Sequence, residues 1–470
     1  MEQSSQYFLP SRVCSSPATH HNSIMIRGQE NSLPSNAAVC ISLRKPWAAG
    51  IFAVLTALCA LLLLWQSIRI AGSEALAASM KLRNLERAAS LWPGNPEFHY
   101  RIAILGFNLI DYRDADESLR QARLATDLGP LWVRYWAQLA WACGAAGDAS
   151  CADAAMERIS RLAPMDPEAV SLTANYFLMS GKPALALKQF GHLLQIDASR
   201  RQDVFRICEA AHYPTAQLQQ VFTEAGPETI VAYISYLAGA GKPEVARDLW
   251  KSLVDDASHD KFPLTIKLAN PYIDRLLQSG DGQQVENVRL DLLNLHLLSS
   301  ESPVFNGGFE QPPSNAGFDW RTTGERYPAV DFQAGSAHSG GHSLRVDFAV
   351  PRNDAYLLAY QLLPLQPNSR YRLTAYVRSE NITSDSGPRL QIYDPSCRGC
   401  LDVATESTVG TTPWHPIRVQ FSTGPETRLG RLEIVRMPGQ YFPRDITGTF
   451  WLDDVTLERE PGGEQSQEKP

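Results

Sequence analysis

The stretch PWAAGIFAVLTALCALLLLWQSI, residues 46–68, contains no charged side chain and is flanked by Arg44, Lys45 and Arg69. About twenty apolar residues in a helix cross a hydrocarbon core of about 30 Å, and a helix satisfies its own backbone hydrogen bonds there. Trp47 and Trp65 lie near the two ends, where indole rings favour the membrane interface. The stretch therefore predicts a single transmembrane helix.

Two alternatives compete with this interpretation. A cleaved signal peptide has a shorter apolar core and ends in small residues, and the segment 75–78, ALAA, could serve as such a cleavage site. A buried helix of a soluble domain is the other alternative, but continuous apolarity on every face argues against it. The positive charges on the two sides of the stretch are nearly balanced, so charge alone does not set the orientation.

The composition of the 470-residue chain is that of an ordinary globular protein with a net charge of -7. It contains no basic block, so a nucleic-acid partner is not expected. Residues 1–45 and 460–470 are rich in polar residues, glycine and proline, which predicts disordered tails at both ends. The length that remains after the apolar stretch predicts two domains.

The first of these domains, residues 73–300, shows a helical repeat. The last apolar residues of successive helical segments are Leu91, Leu128, Leu162 and Ile196, which are 37, 34 and 34 residues apart by subtraction. These spacings are those of tetratricopeptide repeats. In three units a glycine precedes an alanine by five residues, at the pairs Gly147 and Ala152, Gly181 and Ala186, and Gly241 and Ala246.

This pattern resembles the tetratricopeptide repeat family, although it is degenerate around residues 205–213. Stacked two-helix units form a solenoid with a concave surface, which commonly binds a protein or peptide. A protein partner on the repeats is therefore expected. The alternative is that the repeats only hold the next domain away from the bilayer.

From residue 303 the periodicity changes from helical to alternating. Seven short runs separated by glycine, proline, asparagine and serine predict strands: SLRVDFAV, YLLAYQLLPL, RYRLTAYVRS, RLQIYD, HPIRVQFST, RLEIVRM and TFWLDDVTLE. Many short strands over residues 303–459 predict an all-β sandwich of the jelly-roll type. The fold class is thus a membrane helix, an all-α solenoid and a β-sandwich.

The motifs NGGFE at 306–310, SGGHSL at 339–344 and WLDDV at 451–455 follow one another in this domain. In this order they resemble the jelly-roll carbohydrate-binding modules of cellulases and xylanases. The resemblance implies a structural calcium ion held by Glu310, the turn that begins at Ser339, and Asp453. Calcium takes oxygen ligands of these kinds, whereas the alternative is that the carboxylates are merely solvated.

The resemblance also implies a glycan-binding surface. A pyranose ring has apolar C–H faces and a polar edge, so its site needs aromatic rings beside planar hydrogen-bonding groups. The candidates of these two types are Trp320, Tyr327, Tyr356, Gln361, Arg378, Gln391, Tyr393 and Glu433. Each of them could instead belong to the core.

Two cysteine pairs lie close in sequence. Cys397 and Cys400 form a single CxxC in a predicted loop, where a local disulfide or two free thiols is favoured over a zinc site or a redox motif. Cys143 and Cys151 flank the Gly147 turn and could form a disulfide or remain free. An oxidised pair indicates an extracytoplasmic compartment.

The sequence contains no nucleophile elbow, phosphate loop or zinc-protease motif, so we do not expect an enzyme. The patterns favour a scaffold anchored in the inner membrane by one span, with its C-terminal domains outside the cytoplasm. It would bind a polysaccharide or other glycan and recruit a protein, in exopolysaccharide or cell-envelope assembly. The alternatives are a protein-only assembly factor and an accessory subunit of a separate glycoside hydrolase.

Overall fold

A computed structural model describes residues 46–108, 114–298, 301–324 and 327–460. The predicted tails lie outside these residues, apart from Glu460. The chain divides into two compact units, residues 1–92 and 93–470. The first contains α1 (Pro46–Ala77) and α2 (Leu82–Leu91). The predicted apolar helix is present and continues beyond Ile68 to Ala77, and the 28 residues Gly50–Ala77 are long and apolar enough to cross a membrane.

The second unit begins with the helical solenoid. Its helices are α3 (Pro96–Asn108), α4 (Ala115–Leu128), α5 (Val133–Ala145), α6 (Ala149–Leu162), α7 (Pro167–Met179), α8 (Pro183–Ile196), α9 (Arg201–Ala210), α10 (Thr215–Glu224), α11 (Pro227–Gly239), α12 (Pro243–Ser258), α13 (Ile266–Ser279) and α14 (Gly282–Asn294). The four predicted unit ends are each the last residue of a helix: Leu91, Leu128, Leu162 and Ile196 end α2, α4, α6 and α8. The helical-repeat prediction is therefore confirmed.

The glycines of the repeat pattern turn the chain between the two helices of a unit. Gly147, Gly181 and Gly241 have φ of 78°, 71° and 78°, a left-handed conformation that a glycine adopts without steric cost. The alanines five residues later are fully buried where the two helices meet. The irregular centre of the repeat corresponds to α9 and α10, which have ten residues each.

The sandwich follows, with β1 (Arg321–Thr322), β2 (Ala329–Ala334), β3 (Ser343–Arg352), β4 (Tyr356–Pro364), β5 (Arg370–Ile382), β6 (Arg389–Tyr393), β7 (Asp402–Ala404), β8 (Gly410–Ser422), β9 (Leu429–Arg436) and β10 (Ile446–Glu460). The first sheet has the order β1-β4-β9-β6-β7 and the second has the order β2-β3-β10-β5-β8. The paired strands described here are antiparallel. All seven predicted runs form strands, and the short strands β1, β2 and β7 were not predicted.

The last repeat helices and the sandwich share apolar contacts. Phe318 and Leu429 of the sandwich belong to the buried core of the solenoid, and Phe305 and Leu362 pack against it. Asp274 of α13 accepts hydrogen bonds from the backbone N–H of Gly317 at 2.9 Å and from the Arg321 guanidinium at 2.5 Å. The solenoid therefore packs directly on the first sheet.

Candidate functional site

Strand register brings three polar side chains into one row on the outer face of the first sheet. Tyr360 of β4 lies opposite Glu433 of β9, and Glu433 lies opposite Gln391 of β6. The next row consists of Leu362, Arg431, Tyr393 and Asp402. Directly opposed residues of neighbouring strands point to the same side of a sheet, so both rows share this face.

Arg431 connects the two rows. Its guanidinium lies 3.9 Å from the centre of the Tyr360 ring, a cation–π arrangement. Its Nε lies 2.6 Å from Glu433 Oε1 as an ion pair, although the geometry is not that of a directed hydrogen bond. The Tyr393 hydroxyl donates to the same Oε1 at 3.0 Å. Glu433 is thus held in one position by a cation and a phenol.

A second guanidinium covers the other tyrosine. Arg398 lies 4.5 Å from the centre of the Tyr393 ring and donates to Asp402 Oδ2 at 2.9 Å. Gln391 donates to Asp402 Oδ1 at 2.6 Å. Burial, and then the neighbouring Glu433 carboxylate, raise the pKa of Tyr393, so its hydroxyl keeps its proton at neutral pH and can donate. We call this set the aromatic–ionic face: Tyr360, Gln391, Tyr393, Arg398, Asp402, Arg431 and Glu433.

The repeat helices border this face on the β1–β4 side. Arg321, which lies opposite Tyr360 in the register, is paired with Asp274 of α13. Leu362, in the same row as Arg431, packs against the solenoid core. The face is therefore covered on this side and continues towards β6 and β7 on the other.

Three of the predicted glycan contacts are wrong because their side chains point into the sandwich. Trp320 is fully buried, stacks on Phe309 and donates its indole N–H to the Asn306 carbonyl. Gln361 is fully buried, and its amide both donates to the carbonyl and accepts from the N–H of Phe305. The Tyr356 ring is buried in the sandwich core.

Arg378 and Tyr327 do not reach the aromatic–ionic face either. Arg378 lies on the second sheet, with its guanidinium 4.6 Å from the centre of the Trp451 ring. The Tyr327 hydroxyl contacts the backbone of Val350 in β3. Of the predicted glycan contacts, only Gln391, Tyr393 and Glu433 are brought together.

The face also contains residues that the sequence did not single out, namely Tyr360, Arg431, Arg398 and Asp402. A period of two along β9 would have found Arg431, because it precedes Glu433 by two residues and so shares its face. Tyr360 is adjacent to Gln361, so choosing it required knowing which residues of β4 point outwards. No local signal in the sequence identifies Arg398 and Asp402 as members of this face.

The residues of the predicted calcium site lie close together at one end of the sandwich. Asp453 is fully buried and accepts from the N–H groups of His338 and Ser339 at 2.7 and 3.2 Å, while Glu310 Oε1 accepts from the N–H of Gly341 at 2.8 Å. These backbone donors lower the pKa of Glu310, whereas burial raises the pKa of Asp453.

The donor set around Gly308 has the chemistry that calcium takes. A Cβ at Gly308 would lie 3.7 Å from Asp454 Oδ1 and 3.8 Å from Asp453 Oδ1, with the Glu310 side chain 4.0 Å away. Glu310 and Asp453 accept from backbone N–H groups, and Asp454 contacts the Ser339 hydroxyl and the His338 ring. The described residues contain no group of three His, Cys, Asp or Glu side chains that could hold a metal ion. Calcium therefore stays a prediction.

The residues that the structure describes form two disulfides. One joins Cys397 to Cys400, with a Cα–Cα distance of 5.3 Å, and the other joins Cys143 to Cys151 at 5.7 Å. The second links α5 to α6 across the Gly147 turn. Cys59 and Cys208 are free, and the latter is buried.

The sequence matches no protein-family model and no curated protein. Among solved structures, a family 61 carbohydrate-binding module in complex with beta-1,4-galactotriose is similar at 19% identity, over 34% of this chain and 100% of that chain, with a TM-score of 0.25. The family 22 xylan-binding domain of Paenibacillus barcinonensis xylanase 10C is similar at 17%, over 33% and 91%, with a TM-score of 0.23. MamA is similar at 16%, over 26% and 69%, with a TM-score of 0.23. At these scores the likenesses assign no ligand to the chain.

Proposed function

We propose that this chain is a non-catalytic glycan-binding scaffold and that the aromatic–ionic face is its glycan site. The observation that carries the proposal is the convergence of two tyrosine rings with a carboxylate, an amide and two guanidiniums on one sheet face. Tyrosine rings offer apolar surface to sugar C–H groups, and the planar polar groups can pair with hydroxyls. Because the groups already hold one another, little ordering is needed on binding.

We further propose that α1 anchors the chain in the inner membrane and that the solenoid and sandwich lie outside the cytoplasm, where the solenoid recruits a protein partner. The disulfides support this orientation, because both lie after α1 and such bonds persist in oxidising compartments. A membrane-held glycan site beside a protein-binding solenoid suits exopolysaccharide or cell-envelope assembly.

The test is glycan-array screening of the detergent-solubilised full chain, followed by calorimetry on the glycans that bind. Arg431→Ala removes the cation over Tyr360 and releases Glu433, so we expect affinity to fall at least tenfold, equivalent to about 1.4 kcal/mol. Arg378→Ala is a matched control, because Arg378 also stacks on a ring, but on the second sheet.

An affinity within twofold of the unmodified protein is expected for the control. Equal losses in both variants would place the site elsewhere. A folded full chain that binds no glycan on the array would contradict the proposal and favour an assembly factor that binds only proteins.

We also propose that calcium binds at this end of the sandwich, where Glu310, Asp453 and the turn that begins at Ser339 would supply its oxygen ligands. A ligand that binds only the folded state raises its stability. Addition of calcium to the EDTA-treated full chain should therefore raise the melting temperature of the sandwich. Asp453→Asn should abolish this increase, and no increase in the unmodified protein would refute the site.

A further inference from the structure

The rows of the aromatic–ionic face run across the strands of the first sheet. From the β1 edge to the β7 edge, one row consists of Arg321, Tyr360, Glu433, Gln391 and Ala404. The two tyrosines of the face lie on β4 and β6, which are two strand spacings apart, about 10 Å. A glycan that contacts both Tyr360 and Tyr393 therefore lies across the strands, with one end towards β1 and the other towards β7.

The β1 end of this row is closed by α13. The Arg321 side chain is only 14% exposed, although it lies beside Tyr360 on the outer face of the sheet. Its guanidinium donates to Asp274 of α13 at 2.5 Å and to the carbonyl of Gly317 at 2.9 Å. A sugar residue could extend beyond Tyr360 in this direction only by displacing the ion pair and the helix.

The segment 317–321 is firmly held on α13. The N–H of Gly317 donates to the Asp274 carboxylate at 2.9 Å, and a Cβ at Gly317, which has φ of 57°, would overlap the Asn270 side chain. Phe318 is buried in the solenoid core. Because both apolar burial and hydrogen bonds hold this segment in place, opening the closed end would be costly.

The solenoid also borders the face along one side. Beyond the row of Leu362 and Arg431, the next outward-facing row consists of Pro364 and Leu429. Leu429 is buried in the solenoid core, and Leu362 packs against it. The solenoid therefore encloses the face on two sides, at its β1 end and along the row of Leu429.

The β7 end, in contrast, is open. The side chains of Arg398 and Asp402 are 60% and 36% exposed, and Ala404 of β7 is exposed as well. In the described part of the chain, β7 is the edge strand of the first sheet and has only three residues. A glycan chain can therefore leave the face over β7 into solvent.

We propose that the aromatic–ionic face binds the end of a glycan chain and not its interior. The terminal sugar lies at Tyr360 against the Arg321–Asp274 pair, and the chain continues past Tyr393 and over β7. The inference rests on the proposed glycan site and specifies which part of the glycan that site takes. A groove open at both ends accepts an internal segment of a polymer, whereas a groove closed at one end accepts a terminus.

The polar groups at the closed end suit a terminal sugar. Each terminus of a linear glycan carries a hydroxyl that an internal sugar uses in its glycosidic bond. The Arg431 guanidinium and the Glu433 carboxylate, which lie beside Tyr360, can pair with this additional hydroxyl.

Calorimetry on the detergent-solubilised full chain tests the inference. The probe is the linear glycan that binds most tightly on the array, used as a short oligosaccharide and as its long polymer. We expect one protein molecule per chain end at both lengths, with affinities per end that agree within about twofold. A number of bound proteins that rises in proportion to the length of the polymer would show that internal segments bind, and would overturn the inference.

Borohydride reduction of the probe distinguishes the two termini, because it opens the sugar ring at the reducing end. With one protein bound per chain end, loss of binding after reduction assigns the reducing end to the site. Retained binding assigns the non-reducing end.

Ala404→Ile adds bulk where the chain leaves the face, so we expect about tenfold weaker binding of both probes. Ala329→Ile is the matched control, because Ala329 is exposed on β2, an edge strand of the second sheet, and the affinity should not change. Unchanged affinity in Ala404→Ile would show that the glycan does not leave over β7, and would overturn the inference. A full chain that binds no glycan on the array would instead overturn the proposed function, and this inference with it.

Discussion

Replacement of Arg436 by methionine should destabilise the sandwich substantially. The guanidinium makes five hydrogen bonds of 2.6–3.1 Å to three loops, and the substitution leaves several buried acceptors without a donor. Burial lowers the pKa of Arg436, so part of the gain from hydrogen bonding is offset by the cost of burying the charge. Loss of one partner from a buried charged network costs about 3 kcal/mol, equivalent to roughly 6–12 °C in melting temperature for a domain of this size.

The assay is thermal unfolding of the full chain, with hydrogen exchange followed by mass spectrometry to assign the loss to the loops around residues 353, 385 and 440. Arg444→Met is the control, because its exposed side chain can change with an effect of roughly 0.5 kcal/mol or less while its carbonyl remains. If Arg436→Met melts within 2 °C (roughly 0.5–1 kcal/mol) of the unmodified protein and its loops keep their protection, the buried arginine does not organise these loops.

Three further predictions concern the pH dependence of stability, thiol reactivity and the loss of a disulfide. Burial raises the pKa of Asp453 above 3.8 in the folded protein, so the unfolded chain loses this proton first as pH rises. The free energy of unfolding should therefore fall as pH rises through the folded-state pKa. Asp453→Asn should remove this fall in urea titrations with EDTA, and a variant with the same pH profile as the unmodified protein would contradict the prediction. Without reduction, alkylation under denaturing conditions should modify Cys59 and Cys208 but neither disulfide. Separately, the double variant Cys143→Ser, Cys151→Ser, which lacks this disulfide, should be less stable than the unmodified protein by about 2–3 kcal/mol for a loop of this length, and an unaltered stability would refute this expectation.

The elements of this fold were predictable because their signals are local. The interval between Leu91 and Leu128, and the glycine–alanine spacing at Gly147, record the geometry of a two-helix unit, which each unit builds from its own residues. Alternation in the β strands likewise depends only on neighbouring residues. The seven strands β3–β6 and β8–β10 were therefore found, whereas β1 and β7 are too short to show an alternation and β2, with six residues, was missed.

The glycan candidates were harder to predict because the side of a sheet that a residue faces depends on strand pairing. β4 contains an irregularity between Leu357 and Ala359. Leu358 and Ala359 both point into the core, so Tyr356 and Gln361 face inwards although they are five residues apart. A bulge of this kind reverses the alternation. It leaves Tyr360 on the outer face, where sequence analysis had selected its neighbour.

The contact between solenoid and sandwich makes the boundary near residue 300 a poor place to divide the chain. Fragment 301–460 would expose Phe305, Phe318, Leu362 and Leu429, which pack on the solenoid core. Burial of an apolar side chain is worth about 1.5–3 kcal/mol, and the four are only partly uncovered, so about 4–8 kcal/mol is an upper estimate of the loss.

We therefore expect fragment 301–460 to bind a hydrophobic dye and to melt at least about 10 °C (roughly 2.5–5 kcal/mol) below fragment 263–460, which retains α13 and α14. Asp274→Ala in the longer fragment should reproduce part of the loss, because it removes the acceptor for Gly317 and Arg321. Equal melting temperatures of the two fragments would show that the sandwich is complete without the helices. A lower melting temperature of fragment 301–460 would mean that the sandwich, and with it the aromatic–ionic face, depends on the bordering helices. Glycan binding would then have to be measured with α13 and α14 present.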